Sequence, residues 1–318
     1  MIRWIVAATL ALLSAAAHSQ AYPSRPVRLI VHVPPGGAPD ITARVLGERL
    51  SKAFAQPVVV ENRAGANGNV AGELVVKSPP DGYTLLMCVD SQIVINPHVY
   101  RKMSFDPMKD LVPVVSVGSN EFFLATHPNR PFRTLQEFID HARRARPPLT
   151  YGSAGNGSQH QLTMEMLKAR AGIDLLHIPF NGAAPATTAV IAGEVDVIFA
   201  GSTTGPQIRA GKLRGLATAA AKRLAAFPDI PTVGEFYPGF HNSIWLGICA
   251  PSATPEPVLA KLRKEVNALL ATAEVRDAFI RSGALEPFIT TTEEFTALIQ
   301  ADYEKYGKVA RTLGTKVD

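Results

Sequence analysis

Short apolar runs alternate with segments of helical period along most of the chain. "VRLIVHV" at 27–33 is apolar enough for a strand covered on both faces. In "PDITARVLGERLSKAF", which follows, Ile41, Val45, Leu50 and Phe54 make one apolar stripe. "PVVVENR", a helix near Asn69–Val76 and "YTLLMCV" repeat the alternation. "LLHIPF", "PATTAVIAG" and "VDVIFA" compress it into one strand–helix–strand unit. Strands spaced by helices predict an α/β fold of parallel sheets covered by helices. The last third reads as long surface helices: Thr254 and Pro255 stand at the start of one, and Thr291-x-x-Glu294 has capping-box spacing in another. The strand-like "SIWLGICAP" precedes them, so the chain is expected to return to its first sheet before finishing. The expectation is two α/β domains, the first from 22–121 with 242–318 and the second, inserted, from 122–241. The crossovers fall near Glu121–Thr126 and Phe236–Ser243.

Residues 1–21 follow a different pattern. "MIRWIVAATLALLSAAAHSQA" has a positive Arg3, an apolar run from Trp4 to Leu13 and small residues up to Ala21. Ser19 and Ala21 occupy the −3 and −1 places before Tyr22. The apolar run is too short to span a bilayer, so it reads as a cleaved signal peptide, and the mature protein as exported and soluble. No cysteine lies near the cleavage site to carry a lipid.

Composition narrows the function classes. The 318 residues are 47% hydrophobic and 19% charged, with a net charge of +5, enough apolar material for about two domains. No dense Lys/Arg run is interleaved with aromatics, which speaks against nucleic acid as a partner. The two cysteines, Cys88 and Cys249, each sit in a strand-like apolar run. Buried free thiols and a disulfide both fit, the thiols at least as well. CxxC and Cys/His zinc spacings are absent, so no metal and no cofactor is expected.

Three turns carry the candidate chemistry: "PPGGAPD" at 34–40, "GSAGNGS" at 152–158 and "FNGAAPA" at 180–186. Each leads from a strand into a helix. Such a turn presents unpaired N–H groups and the positive end of a helix dipole, and glycine lets a ligand approach that backbone. It binds an anion with no basic side chain. One such turn is an ordinary tight connection; three in one chain point to a cleft that closes on a small anion. The enzymatic versions fail their tests. Gly211-Lys212 is followed by Leu213, not Ser or Thr, and Gly155-x-Gly157 meets His160 where GxGxxG needs glycine. GxSxG, HExxH and EF-hand patterns are absent. Asp40 is expected to cap its helix or to orient the first loop. Ser153 and Ser158 read as hydroxyl donors, and His160 and His177 as structural hydrogen-bonding groups. Arg44 and Arg63 are candidates for an anionic ligand or for ion pairs, and Trp245 for packing in the first domain.

In order, "YPSRPVRLIV", "PPGGAPDITAR", "VENRAGANGNVA", "PPDGYTLL", "NPHVYRKMSFDPMKDLVPV", "YGSAGNGS", "HIPFNGAAPA", "AGKLRGLATAA", "FPDIPTVGEF" and "WLGICAPSATP" resemble the Bug-type (TctC-like) solute-binding receptors of tripartite tricarboxylate transporters. The resemblance runs from Tyr22 to the C-terminal helix. It implies a periplasmic-binding-protein type II-like fold, two α/β domains with a ligand cleft between them, closing on a small carboxylate. The carboxylate would be held by backbone N–H groups, hydroxyls and waters. It places Pro35, Gly36, Gly37 and Asp40 of the first turn at the ligand, with Ser153, Gly155, Asn156, Gly157 and Ser158 of the second. Gly182, Ala183, Pro185 and Ala186 follow from the third, and Ser91, Ser202 and Thr203 from neighbouring strand ends. The partner implied is a membrane permease, or a sensor kinase reading the same closed surface, with the receptor a monomer in the periplasm. Gln161 stands where the family often has histidine, Asn181 where lysine is common, and Ala189 and Ala200 where acidic residues are frequent. The competing reading is an exported α/β hydrolase or transferase acting on a small anion, with His160 or His177 as base beside Ser153 or Ser158.

Overall fold

The computed structural model describes residues 22–201, 203–224, 226–282 and 286–313. The expected signal peptide and Ser202 lie outside them. The first part of the chain alternates strand and helix: β1 (Val27–Val31), α1 (Ala38–Phe54), β2 (Val58–Asn62), α2 (Asn69–Val76) and β3 (Thr84–Val89). A π-helical turn (Ser91–Ile95), α3 (Asn96–Val99) and α4 (Pro107–Asp110) lead into the long β4 (Leu111–Glu121). Then come β5 (Phe123–Thr126), α5 (Leu135–Arg144), β6 (Thr150–Ser153), α6 (Gln159–Ala171), β7 (Leu176–Pro179), α7 (Ala183–Ile191), β8 (Val197–Ala200), α8 (Thr204–Arg209) and β9 (Arg214–Thr218). The chain ends with β10 (Ser243–Pro251), α9 (Glu256–Leu270), α10 (Ala273–Ser282), β11 (Glu286–Pro287) and α11 (Thr292–Leu313).

These strands form two sheets. One is ordered β11-β4-β10-β3-β1-β2 and the other β7-β6-β8-β5-β9. Both are mixed, not purely parallel as the alternation predicts. In the first, β1 runs parallel to β2 and β3, but β10 lies antiparallel between β3 and β4. In the second, β6 is parallel to β7 and β8, while β5 is antiparallel to β8 and β9. The reason is the double passage between sheets. β4 leaves the first sheet at Glu121 and β5 enters the second at Phe123. The return from β9 passes through Asn242 into β10, whose Leu246 pairs with Val89. A strand arriving from the cleft side must run against strands that end there.

Burial follows from position in the sheet. All six residues of the central β3 are buried, whereas β2, at an edge, is partly exposed throughout. On α1 the buried face is carried by Ala43, Leu46, Leu50 and Phe54, and Ile41 and Val45 are only partly covered. The long C-terminal helical stretch breaks at Ala271–Thr272 into α9 and α10, and the N-cap of α9 is Pro255, one residue past the expected Thr254. The Thr291–Glu294 box closes as predicted, with Glu294 N–H donating to Thr291 Oγ1 and Thr291 N–H to Glu294 Oε2. Trp245 is buried edge-on against Phe295, and its Nε1–H donates to Asp302.

Cys88 and Cys249 are disulfide-bonded, which decides between the two thiol readings. Their Cα atoms are 6.0 Å apart on neighbouring strands, where Gly247 faces Cys88 and Leu86 faces Cys249. A Cβ on Gly247 would meet the Phe295 ring, its Cζ 2.5 Å away.

Candidate functional site

Strands β1, β3, β6, β7 and β8 all end at the gap between the two sheets, and their following turns enclose a cavity of about 380 Å³. Of the sequence-predicted residues, Gly37, Ser91, Gly155, Asn156, Ser158, Gly182, Ala183 and Thr203 line it. The two sides come within contact range, since a Cβ on Gly182 (φ +117°) would lie 3.0 Å from Pro34 Cδ. Gly155, at φ +124°, would bring a Cβ to 3.2 Å from the Phe180 carbonyl. Both positions therefore need glycine for conformation and for space.

Pro35, Gly36, Asp40, Ser153, Gly157, Pro185 and Ala186 sit in the same turns but do not line the cavity. Most of them shape it. Asp40 is at the third position of α1, and the N-cap itself is Gly37 with no side-chain cap. Its carboxylate accepts from Gly36 N–H (2.9 Å), Arg44 Nε (3.1 Å) and Asn62 Nδ2 (2.9 Å). Burial alone would raise its pKa, but these partners hold it below the ordinary carboxylate value. Arg44 is thereby an ion-pair partner of Asp40, and Arg63 of Glu61. Gly157 N–H donates to Gln161 Oε1, so the glutamine braces the second turn.

Ser153 and His177 do meet: Ser153 Oγ is 2.6 Å from His177 Nε2. Neither lines the cavity, and Ser153 is fully buried. Its hydroxyl also lies 3.1 Å from the Gly155 carbonyl and accepts from Gly155 N–H at 3.1 Å, which ties the turn to β7. Ser158 is the N-cap of α6, accepting from Gln161 N–H and donating to the Gly155 carbonyl.

Sequence reasoning missed several lining residues. Among them are His32, Tyr100, Asn120, Gln159, Ile244, Leu246 and the whole of Ala64–Gly68. The last had a signal: "AGANG" is a fourth glycine-bearing turn between a strand and a helix. Gln159 belongs to a buried cluster between the sheets. Its Nε2 donates to Asp90 Oδ2 (2.8 Å) and Tyr306 OH (2.7 Å), and its Oε1 accepts from Asn242 Nδ2 (2.8 Å).

Among the described residues the cavity is lined by no Asp, Glu, Lys or Arg. Its ionisable side chains are His32, His160 and Tyr100. Burial lowers His32 to about 4, and burial with the neighbouring His32 lowers His160 to about 3, so both are neutral at pH 7. Beside the cavity, burial pushes Asp90 up to about 8; the Asp302 charge acts in the same direction, and hydrogen bonds from Gln159, Ser91 and Trp245 oppose it.

These shifts predict a stability maximum. A raised carboxyl stabilises the fold at low pH and loses that contribution as pH rises toward 8. Depressed histidines lose theirs as pH falls below about 6.5, and His177 and His241, also lowered by burial, add to that limb. Each whole proton is worth about 1.4 kcal/mol per pH unit. Several histidines outweigh one aspartate below that point, and from there to about pH 8 the contribution being lost is that of Asp90, so the melting temperature should peak at about pH 6.5. Asp90→Asn should flatten the alkaline limb. Calorimetric scans from acid to alkaline pH check this, and stability still rising at pH 8 contradicts it.

Residues 42–315 match the family model described as the tripartite tricarboxylate transporter family receptor. The chain belongs to that family. BugT of Bordetella pertussis is 33% identical over 311 residues, covering 96% of this chain and 94% of BugT. Two solved structures of Rhodopseudomonas palustris proteins superpose closely at 30% identity each. Rpa4515 with adipate does so with a TM-score of 0.88, over 93% of this chain and 99% of that one. MatC with bound malate does so with a TM-score of 0.84, over 91% and 99%. A tripartite tricarboxylate transporter receptor is a solute-binding protein, not an enzyme, and the Ser153–His177 contact is accordingly a structural brace. No helix among the described residues of this receptor is long and apolar enough to cross a membrane.

Proposed function

We propose that this receptor captures a small carboxylate in the cavity between its sheets and delivers it to the membrane permease of a tripartite tricarboxylate transporter. The observation that carries the reading is the cavity wall. Glycine turns at strand ends supply N–H donors and small hydroxyls, and no charged side chain is needed. Adipate in Rpa4515 and malate in MatC, two proteins of the same fold at 30% identity, support the same ligand class. The ligand contacts are proposed at Gly37, Ser91, Gly155, Asn156, Ser158, Gly182, Ala183 and Thr203, with the remaining predicted turn residues holding these in place.

The working site is the periplasm, reached through the signal peptide at 1–21, and the receptor acts as a monomer. Its domains are 22–121 with 242–318, and 122–241. The separate sheets, joined through Phe122 and Asn242, support those limits. Closure of one domain on the other would bury the ligand, and the ligand's greater affinity for the closed form would drive it.

A thermal-shift screen against small carboxylates and neutral controls tests the reading, because a ligand of the folded state raises the melting temperature with concentration. Acids should shift it, neutral analogues should not, and the acid should be recovered unchanged. Gly155→Ala should weaken acid binding about tenfold, the equivalent of about 1.4 kcal/mol of turn strain. A shift produced by the neutral controls alone, or consumption of the acid, contradicts the proposal.

A further inference from the structure

The second glycine turn is held by a relay of side-chain hydrogen bonds that runs from its far end back to its start. Gly155 and Gly157 both stand at positive φ, +124° and +76°. Gly157 N–H donates to Gln161 Oε1 (2.7 Å), and Gln161 Nε2 lies 3.3 Å from His177 Nδ1. On the other edge of the same ring, His177 Nε2 lies 2.6 Å from Ser153 Oγ. That oxygen is 3.1 Å from both the N–H and the carbonyl of Gly155. Gly155, Asn156 and Ser158, enclosed by the relay, line the cavity; Ser153, Gln161 and His177 do not.

The direction of every bond in the relay follows from its first member. A backbone N–H can only donate, so the Gln161 atom that meets Gly157 is the oxygen, and the one that meets His177 is the NH₂ group. An amide NH₂ can only donate, so His177 Nδ1 is a bare acceptor. The imidazole then carries its single proton on Nε2 and donates it to Ser153 Oγ. This oxygen also accepts from Gly155 N–H, which leaves its own proton for the Gly155 carbonyl. One tautomer in one charge state satisfies every member. A second proton on His177 would set an Nδ1–H against the Gln161 NH₂ group. Turning that amide over would move the conflict to Gly157 N–H. In both cases a donor faces a donor beside the cavity wall.

The surroundings of the ring are polar but balanced. Burial pushes His177 down; the Glu165 carboxylate opposes this and the Lys168 ammonium adds to it. These two charges, both on α6, pair with each other at 3.0 Å, and Lys168 also lies 3.8 Å from Asp174. Tyr151 of β6 stacks on the His177 ring at 4.7 Å and donates its hydroxyl to Glu165 (2.5 Å).

We infer that His177 is a positioning residue of the carboxylate site: the turn at 155–158 is set for the ligand only while the ring is neutral with its proton on Nε2, so protonating the ring weakens binding. This rests on the reading of the cavity as a carboxylate site. An imidazolium would also attract a carboxylate, which acts in the opposite direction, so the sign of the pH dependence separates positioning from charge.

Nitrogen-15 spectra of the receptor labelled at histidine should show His177 as the Nε2–H tautomer at pH 7. Gln161→Glu is the discriminating variant. A carboxylate accepts at both oxygens, so it completes the relay with a charged ring, and His177 should titrate at a higher pH than in the wild type. Titration calorimetry with adipate and with malate then gives the ratio of variant to wild-type affinity, in which protonation of the acid itself cancels. That ratio should rise as pH falls through the wild-type midpoint of His177, reaching about tenfold one pH unit below it. A wild-type ring that is Nδ1–H or charged at pH 7, or a ratio that stays flat or falls on acidification, overturns the inference while the receptor reading stands. Failure of the wild-type protein to bind either acid at pH 7 overturns the carboxylate reading, and this inference with it.

Discussion

The Cys88→Ala/Cys249→Ala protein is expected to be less stable than the wild type by about 5 kcal/mol at 25 °C, by the chain-entropy estimate for a loop of this length. The two cysteines are 161 residues apart, and the segment between them contains β4, the whole second sheet and the start of β10. In the unfolded chain the bridge forbids most separations of these ends. In the folded protein the ends are already neighbours, because β3 and β10 pair directly. The constraint therefore raises the free energy of the unfolded state far more than that of the folded one. A loss of this size is a large share of a typical domain's stability. Urea denaturation of both proteins without reductant checks it. Equal midpoints would show that the bridge contributes nothing, and a difference below about 1 kcal/mol would mean that the chain-entropy account fails here.

A comparable loss is expected from Gln159→Leu. Gln159 connects groups from both sheets: Asp90 after β3, Asn242 in the return crossover and Tyr306 on α11. All four side chains are buried. Leucine has a similar volume but no polar atoms. Asp90 Oδ2 loses its one side-chain donor among the described residues, while Asn242 keeps Thr163 and Tyr306 keeps Asn242. One buried carboxyl oxygen deprived of its hydrogen-bond partner, with a weakened network around it, implies a cost of about 3 kcal/mol. Gln159→Glu should do worse above pH 8, where a second carboxylate would face an ionised Asp90, and partly recover near pH 5. A double-mutant cycle with Tyr306→Phe measures the coupling. Additive losses would mean that the cluster is a set of independent contacts.

Both effects depend on pairings that no local pattern announces, and this separates what was legible in the sequence from what was not. Strand and helix identity was legible, because burial on a sheet or a helix imposes a period on the residues that make it: the continuous run of β3 and the stripe of α1 are cases. The three glycine turns were legible for a similar reason, since a strand that gives way at once to a helix forces the chain through conformations that favour glycine. The family resemblance added the order of the motifs and with it the class of receptor.

The partly antiparallel sheets were not legible. Direction depends on the end at which a strand enters, and β10 enters from the cleft side only because the chain has returned from the other sheet. Within the site, sequence proximity was a poor guide to role. Gly155 and Gly157 look equivalent, but only Gly155 lines the cavity. Asp40 reads as a cap, a group that orients the first loop or a ligand contact, and the folded chain selects the second, since it accepts from Gly36 N–H while Arg44 and Asn62 converge on it. The Ala64–Gly68 wall was within reach as a fourth glycine turn, but the side chains that hold its carbonyls, Gln92 and Asn96, stand more than twenty residues away.

The sequence by itself determined the alternation of elements, the glycine turns that open each helix at the cleft, and membership of a solute-receptor family. These rest on forces that act between near neighbours: hydrophobic period, capping and backbone sterics. The tertiary structure alone decided the joining of Cys88 to Cys249, the meeting of Gln159 with Asp90 and Tyr306, and which turn residues face the cavity. Each of those is a short-range interaction between groups that only the folded chain brings within reach.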